Sequence, residues 1–509
     1  MNDRIQDLAR RYLPEAVATL REAVRLPADY VDRPPEDGGD PLCGLSNHEG
    51  PRLEYLCRRI LEVGAVDGPG DVGFDAFGNL WWRVDDPDDG VATEDKRVVY
   101  WDGHTDTVKA LRQSWHDALG GGLDPYLGLT DADRLDRDFL RRELGHLTPE
   151  EEWRHLVWGR GSADQLGGVV CQIFASRILR ELRTEGSLRG VVVWSYATVA
   201  EEDNDGGGPM YLMREELPGA PPDRVPDVVI LTEGTGSAAD GPVGIYRGQR
   251  GRMQIEVDVV GKSCHGSMPW EGRNPLEYGA GILVEATERY QRGEGFATDS
   301  FLGAGSRTAS HAVLETPSDC AVPERFTFRF DRRLTAGEDP EAARRDVEEL
   351  PAVARAREDG LTVDVRVPLY DQLTWKGYRP SNPQIYPGWA TPEEHPAIRA
   401  AVAAYGDVVT PMVEAGELGS SLRAEPRVAR WVFSTDGVGV PLPAEPGEGE
   451  SAVEVPESKR WIEAGSFRHP AMFGIGPGIE ENTHKIGECM DSREMVAVMA
   501  FLARFPSRL

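Results

Sequence analysis

Four apolar runs in this 509-residue chain each lead into side chains that bind metal ions. Val98-Val99-Tyr100-Trp101 runs into Asp102-Gly103-His104-Thr105-Asp106, and Val191 to Tyr196 runs toward Glu201-Glu202. Val228-Val229-Ile230-Leu231 runs into Thr232-Glu233-Gly234, and Met472-Phe473-Gly474-Ile475 leads through Gly476-Pro477-Gly478 to His484. A further carboxylate, Asp164, lies in the loop Gly159-Arg160-Gly161-Ser162-Ala163-Asp164, where glycines permit close backbone approach and the carboxylate can bridge two cations. His104, Asp164, one of Glu201 and Glu202, Glu233 and His484 form a mixed nitrogen and oxygen donor set. Such a set suits zinc, with manganese or cobalt as substitutes. Glu201 and Glu202 are adjacent carboxylates that repel each other unless their roles differ, one binding metal while the other acts on a bound water as general base. Asp106 is two residues past His104, so at a strand end both can point the same way, Asp106 toward the second imidazole nitrogen. Together these residues meet the needs of a two-metal hydrolase.

Something must bring these five segments together. Short apolar runs of this kind fit buried strands of a parallel sheet, and open α/β sheets place their chemistry at the carboxyl ends of such strands. Strands alternate with helical stretches up to about Glu233, which predicts an α/β fold with a mostly parallel central sheet and helices on both faces. The pattern then changes. Shorter strands at 253–259 and 326–330 surround a helix near 275–290, with another near 340–350, which predicts a small βαβ-like α+β lid inserted into the chain. The sheet domain resumes near Glu394 with a helix from about Ala397 to Tyr405. The expected division is a catalytic domain built from residues 1–242 and 386–509, with a lid or dimerisation domain at 243–385. Two segments read as added loops: the charged stretch 110–155, in which 130–147 has helical character without a strong apolar face, and 441–458, dense in Pro, Gly and Glu and expected to be a mobile surface loop.

Composition narrows the class. With 40% hydrophobic and 28% charged residues the chain reads as a globular enzyme with no stretch apolar enough to span a bilayer. A formal net charge of -30 disfavours nucleic acid and acidic membrane surfaces as partners. The charged start, with Leu8, Tyr12, Ala16 and Leu20 at helical spacing, predicts an amphipathic helix and not a signal peptide, hence a cytoplasmic protein. Six cysteines without CxxC spacing argue against a disulfide framework or thiolate zinc cluster. No GxGxxG follows the first strand, which disfavours a dinucleotide-binding dehydrogenase.

The motifs Gly103-His104-Thr105-Asp106, Gly159-Arg160-Gly161 with Asp164, Glu201-Glu202, Glu233, Gly261 to Ser267, Asp331-Arg332-Arg333 and Gly476-Pro477-Gly478 with His484 span nearly the whole chain. In this order the chain resembles the dinuclear zinc family of aminoacylase, acetylornithine deacetylase, succinyl-diaminopimelate desuccinylase and glutamate carboxypeptidase. Tyr246 to Arg252 and Ser263-Cys264-His265-Gly266-Ser267 resemble more narrowly its selenium-metabolism-linked, YgeY-like branch. The resemblance implies His104, Asp164 and Glu233 at one zinc, and His484, Asp164 and Glu202 at the other, with Asp164 bridging. It further implies that Asp106 orients His104 and that Glu201 takes a proton from the bridging water. His265, on the lid, would stabilise the oxyanion, often in the partner subunit of a homodimer, and Arg333 would hold a substrate carboxylate. Where relatives often carry Asn before the lid strand, this chain has Cys320.

The remaining histidines, His116, His146, His155, His311, His395 and His469, read as ordinary core or surface residues, and Cys264 and Cys489 as packing residues. The expected activity is hydrolysis of an amide bond in a small carboxylate-bearing molecule, an N-acyl amino acid or a dipeptide. A dipeptidase or carbamoyl-type amidohydrolase with the same centre is the alternative among enzymes. A catalytically silent binding protein would lack a ligand or Glu201, and this chain lacks neither.

Overall fold

In the computed structural model, which describes residues 1–28, 48–119, 123–145, 148–419, 421–445, 447 and 451–509, the four apolar runs are neighbouring strands. Val191–Thr198, Arg97–His104, Val228–Leu231 and Ala471–Gly474 lie side by side, all parallel, at the middle of a nine-stranded sheet. Leu80–Asp85 and Val72–Phe74 extend one edge antiparallel, and Ile245–Gln249 with Trp389–Ala390 extends the other. The runs lack polar alternation because both faces are covered. Val99, Trp101, Val193, Ile230 and Phe473 pack on one side against the long helices Asn2–Val24, Gly50–Glu62, Gly167–Glu181, Pro396–Glu414 and Ser492–Arg504. Val98, Tyr100, Val192, Val229 and Met472 face the other side, against Leu212, Met213, Val440 and Trp431. There the cover is the short helix Gly207–Tyr211, its continuation and loops, so the two faces are unequal.

Leaving Ile245–Gln249, the chain builds a second sheet in the order Ser306–Glu315, Arg325–Leu334, Gly251–Val260, Thr362–Arg366, antiparallel throughout. Each βαβ unit is split by an intervening strand, the first carrying helix Pro275–Gln291 and the second helices Pro340–Glu348 and Pro351–Glu358. Period-two alternation sets its faces. Phe326, Phe328 and Phe330 pack with Ile282, Ala286, Val347 and Val353, while Arg325 and Arg329 on the opposite face pair with Asp258 and Glu256 at 2.6 and 2.7 Å. The expected lid elements at 253–259, 326–330, 275–290 and 340–350 all occur. Strand 306–315 and helix 351–358 are additional, the former because an edge strand with one exposed face has little apolar pattern to read.

The amphipathic first helix forms as expected, with Leu8, Tyr12, Ala16 and Leu20 buried. The charged stretch 110–155 departs from the expectation of an added loop. Trp115, Leu140 and Trp153 come from separate short elements and close over Trp158 and Cys489 as a small core of their own. Residues 446 and 448–450 of the expected mobile loop, and His146 and Cys43, lie outside the described residues. No helix among the described residues is long and apolar enough to cross a membrane.

Candidate metal centre

The carboxyl ends of the four parallel strands, together with the Gly159–Asp164 loop, bring both histidines to one carboxylate. Asp164 Oδ1 lies 3.0 Å from His104 Nε2, and its Oδ2 lies 2.9 Å from His484 Nε2. Glu233 Oε2 approaches the same His104 nitrogen at 3.4 Å, and Glu202 Oε2 approaches His484 Nε2 at 3.2 Å. All five expected ligands therefore cluster, in two sets of three that share Asp164. His104, Asp164 and Glu202 offer donor atoms within 4.8 Å of one another. The site has depth: the His104 side chain is 1% exposed, whereas that of His484 is 51% exposed and marks the open end.

Close backbone approach lets the strand ends converge. A Cβ on Gly168 would sit 2.0 Å from the Thr232 carbonyl oxygen, and one on Gly476 would sit 2.1 Å from the same atom. Glycines in the Gly167-Gly168 and Gly476-Pro477-Gly478 segments thus permit the packing that delivers Glu233 and His484.

Asp106 supports the centre twice. Its Oδ1 is 3.3 Å from His104 Nδ1, and its carboxylate accepts the backbone N–H groups of Glu201 at 3.1 Å and Glu202 at 2.9 Å. Glu202 Oε1 accepts from Val108 N at 3.1 Å, and Glu233 Oε2 accepts from Gln165 Nε2 at 2.7 Å. Glu201 is different: its carboxylate forms no hydrogen bond among the described residues, and its Oε2 lies 3.9 Å from His104 Nε2.

Charge balance tests whether these residues suit a cation. Five carboxylates (Asp106, Asp164, Glu201, Glu202 and Glu233) surround two imidazoles. Burial alone would lower both histidines, but Asp106, Asp164 and Glu233 lift His104 well above its ordinary value, and Asp164 and Glu202 lift His484 to about 11. Burial and the Asp164 charge raise Glu202 to about 7, and burial raises Glu201 and Glu233. The surrounding carboxylates thus draw both imidazoles toward the protonated form. Divalent cations displacing those protons satisfy the same excess of carboxylate, so the donor set fits metal.

Two further expected residues lie elsewhere. His265 stands exposed on the lid, its Nδ1 accepting from Ser267 N at 3.1 Å, and Cys320 lies beside it, its carbonyl accepting from Gly266 N at 2.8 Å. Arg333 donates to Asp331 at 2.8 and 3.1 Å and to Ser434 at 2.9 Å. Neither is brought to the five-residue cluster within this chain.

Three supporting carboxylates escaped the sequence reading. Glu49 Oε1 accepts from Ala200 N at 2.8 Å, and Asp436 meets Thr198 Oγ1 at 3.1 Å behind the His104 strand. Glu488 holds the Asp164 loop: its Oε1 accepts from the N–H groups of Gly161, Ala163 and Asp164 at 2.9, 3.1 and 3.2 Å, and its Oε2 pairs with Arg160 at 2.6 Å. An arginine in a glycine loop signals a need for an acid, but not which of 86 acidic residues supplies it. Since Arg160 is only 3% exposed, Glu488→Ala strands a buried cation and three amides. Unfolding by denaturant is expected to show a loss of about 3–5 kcal/mol. A loss below about 1 kcal/mol, the range of an exposed ion pair, would mean the loop stands without this pair.

Paired imidazoles on a shared carboxylate, at the ends of parallel strands and beside an inserted α+β sheet, define a metal-dependent hydrolase. The comparisons with known proteins agree. A family profile described as "Peptidase dimerisation domain" matches residues 247–357. The uncharacterised protein YgeY of Escherichia coli K12 is 30% identical over 503 residues, covering 99% of this chain and 96% of that relative. In fold, the chain is similar to the di-peptidase Dug1p of Saccharomyces cerevisiae, with TM-score 0.62, 12% identity and coverage of 100% and 99% of the two chains. It is also similar to the M20 family metallo-carboxypeptidase Sso-CP2 of Sulfolobus solfataricus, with TM-score 0.59, 14% identity and coverage of 97% and 99%. The chain belongs to the M20 family of metallopeptidases and amidohydrolases, in the branch that includes YgeY. It is thus a metal-dependent amide hydrolase.

Proposed function

We propose that this protein cleaves an amide bond in a small carboxylate-bearing molecule, an N-acyl amino acid or dipeptide, at a centre of two zinc ions, with manganese or cobalt as substitutes. The observation that carries this reading is Asp164, which presents one oxygen to each histidine. His104, Asp164 and Glu233 would hold one ion, and His484, Asp164 and Glu202 the other. Bound there, the ions would supply Lewis acidity that polarises the scissile carbonyl and acidifies water. Glu201 accepts the proton from water as the water oxygen bonds to the carbonyl carbon. The C–N bond then breaks, and Glu201 returns that proton to the departing amine nitrogen. Burial raises the Glu201 carboxyl, which makes it a better proton acceptor than an exposed glutamate. Asp106 fixes the His104 ring and both glutamate amides, so the two carboxylates keep separate tasks. Arg333 binds a substrate carboxylate only if its pairing with Asp331 and Ser434 opens.

Purified protein assayed by elemental analysis, with a mass-spectrometric screen of N-acyl amino acids and dipeptides, tests this proposal. Two metal equivalents and metal-dependent release of an amine are expected. Retained turnover after chelation would overturn it.

His265 enters the same proposal through a homodimer. The lid offers an edge strand whose outer side has no strand partner among the described residues, with Val313 and Leu314 46% and 39% exposed, and a helix with Val284 58% exposed, as contact surface. A second subunit would present His265 to the centre as an oxyanion donor. Mixing inactive His265→Ala with inactive Glu201→Gln protein is then expected to restore partial activity, because some mixed dimers hold one intact composite site. A monomer by light scattering would eliminate this shared site.

A further inference from the structure

Residues 200–205 form a short turn held position by position, and its two halves are held by different parts of the molecule. Ala200 N donates to Glu49, and the amides of Glu201 and Glu202 donate to Asp106, all within the elements around the central sheet. Beyond Glu202 the partners change. Asp203 Oδ2 accepts from the Tyr370 hydroxyl at 2.8 Å, and the side-chain amides of Asn204 and Asn382 bond reciprocally at 3.2 and 3.1 Å. Tyr386 also donates to Asn204, and Asp205 pairs with Arg252 and accepts from Ser434 at 3.0 Å. Arg252 and Tyr386 belong to paired strands of the lid sheet, Gly251–Val260 and Ile385–Tyr386, and Tyr370 and Asn382 to the segment that leads from strand Thr362–Arg366 to Ile385–Tyr386. Both ends of the turn carry positive-φ backbone without glycine, φ 64° at Ala200 and 44° at Asp205. Such a conformation costs roughly 1–3 kcal/mol per residue and persists only where surroundings impose it.

We infer that this turn is the element through which the lid sets the position of Glu201 and Glu202, with Tyr370 and Asn382 as positioning residues. The inference rests on the reading that these two glutamates serve the chemistry, and it adds the device that places them. Asp203, Asn204 and Asp205 lie one to four residues past the two glutamates, so a shift of the lid or its return segment pulls on the same short turn. Among the described residues, Tyr370 and Asn382 hydrogen-bond to neither glutamate. They act only through the backbone between.

Hydrogen exchange of the full-length, metal-loaded protein, followed by mass spectrometry, tests this without a substrate. In Tyr370→Phe and Asn382→Ala, the amides of Glu201 and Glu202, to which neither residue hydrogen-bonds, are expected to exchange about tenfold faster or more, with metal content unchanged. On the best substrate from the N-acyl amino acid and dipeptide panel, kcat is expected to fall about 10- to 100-fold, as for a displacement of about 1 Å, with KM held within a few fold. Asn204→Ala combined with Asn382→Ala is expected to cost about as much as Asn204→Ala alone, because Asn204→Ala already removes the reciprocal pair together with the acceptor of Tyr386. Unchanged exchange at Glu201 and Glu202, or a loss expressed in KM or in metal content, overturns the positioning role. If Glu201→Gln keeps full turnover, the assignment of the chemistry fails and this inference falls with it. If Glu201→Gln is inactive while Tyr370→Phe and Asn382→Ala show wild-type exchange and kcat, only the coupling fails.

Discussion

Glu201→Gln is expected to lower turnover by about two to four powers of ten while both metal equivalents stay bound. Glutamine keeps the shape of the side chain and its capacity for hydrogen bonds, but it cannot take the proton of the attacking water. The geometry separates this residue from its neighbour. Glu202 Oε2 lies 3.2 Å from His484 Nε2 and Oε1 accepts from Val108 N, whereas the Glu201 carboxylate stands 3.9 Å from His104 Nε2, the placement that the proposed proton transfer requires. Steady-state kinetics together with elemental analysis decide the matter. If Glu201→Gln loses metal and Glu202→Gln keeps it, the two roles are reversed.

Replacing either histidine is expected to abolish activity by a different route. His104→Ala and His484→Ala each remove the only imidazole of one three-residue set, leaving carboxylates whose mutual repulsion then lacks a donor-bound cation to offset it. Each variant is expected to retain less than the full metal complement. They should differ in stability: His104 is buried against Asp106, Asp164 and Glu233, so its loss also opens a cavity among charges, whereas His484 is half exposed at the mouth. Full metal occupancy and normal turnover in both would sink the two-ion centre.

Legibility in the sequence followed the range of the signal. The four strand cores were readable because burial on both faces turns a strand into an uninterrupted apolar run. The ligand segments were readable because each lies within a few residues of such a run. The lid's inner strands were readable through the Phe326, Phe328, Phe330 alternation. Its edge strand 306–315 and the small core of the 110–155 insert were not. The edge strand leaves most of its residues in solvent, and the insert's core draws Trp115, Leu140, Trp153 and Cys489 from segments up to 374 residues apart (489 minus 115).

Local chemistry in the sequence thus pointed to the α/β class and to the residues whose side chains cluster, because periodicity and residue type act over a few positions, while the resemblance supplied the expected split between the two adjacent glutamates. Tertiary structure alone decided what holds those donors: Glu488 beneath the Asp164 loop, Glu49 and Asp106 at one half of the Glu201 turn, Tyr370, Asn382 and Arg252 at the other. These partners lie from 47 to 328 residues away from what they hold, Asp106 among them at 95 from Glu201. Nothing in a single chain's local pattern marks such pairs. The chain path that brings a carboxylate to three waiting amides exists only once both sheets are folded, and it leaves His265 exposed on the lid while it gathers His104 and His484 on the two oxygens of Asp164.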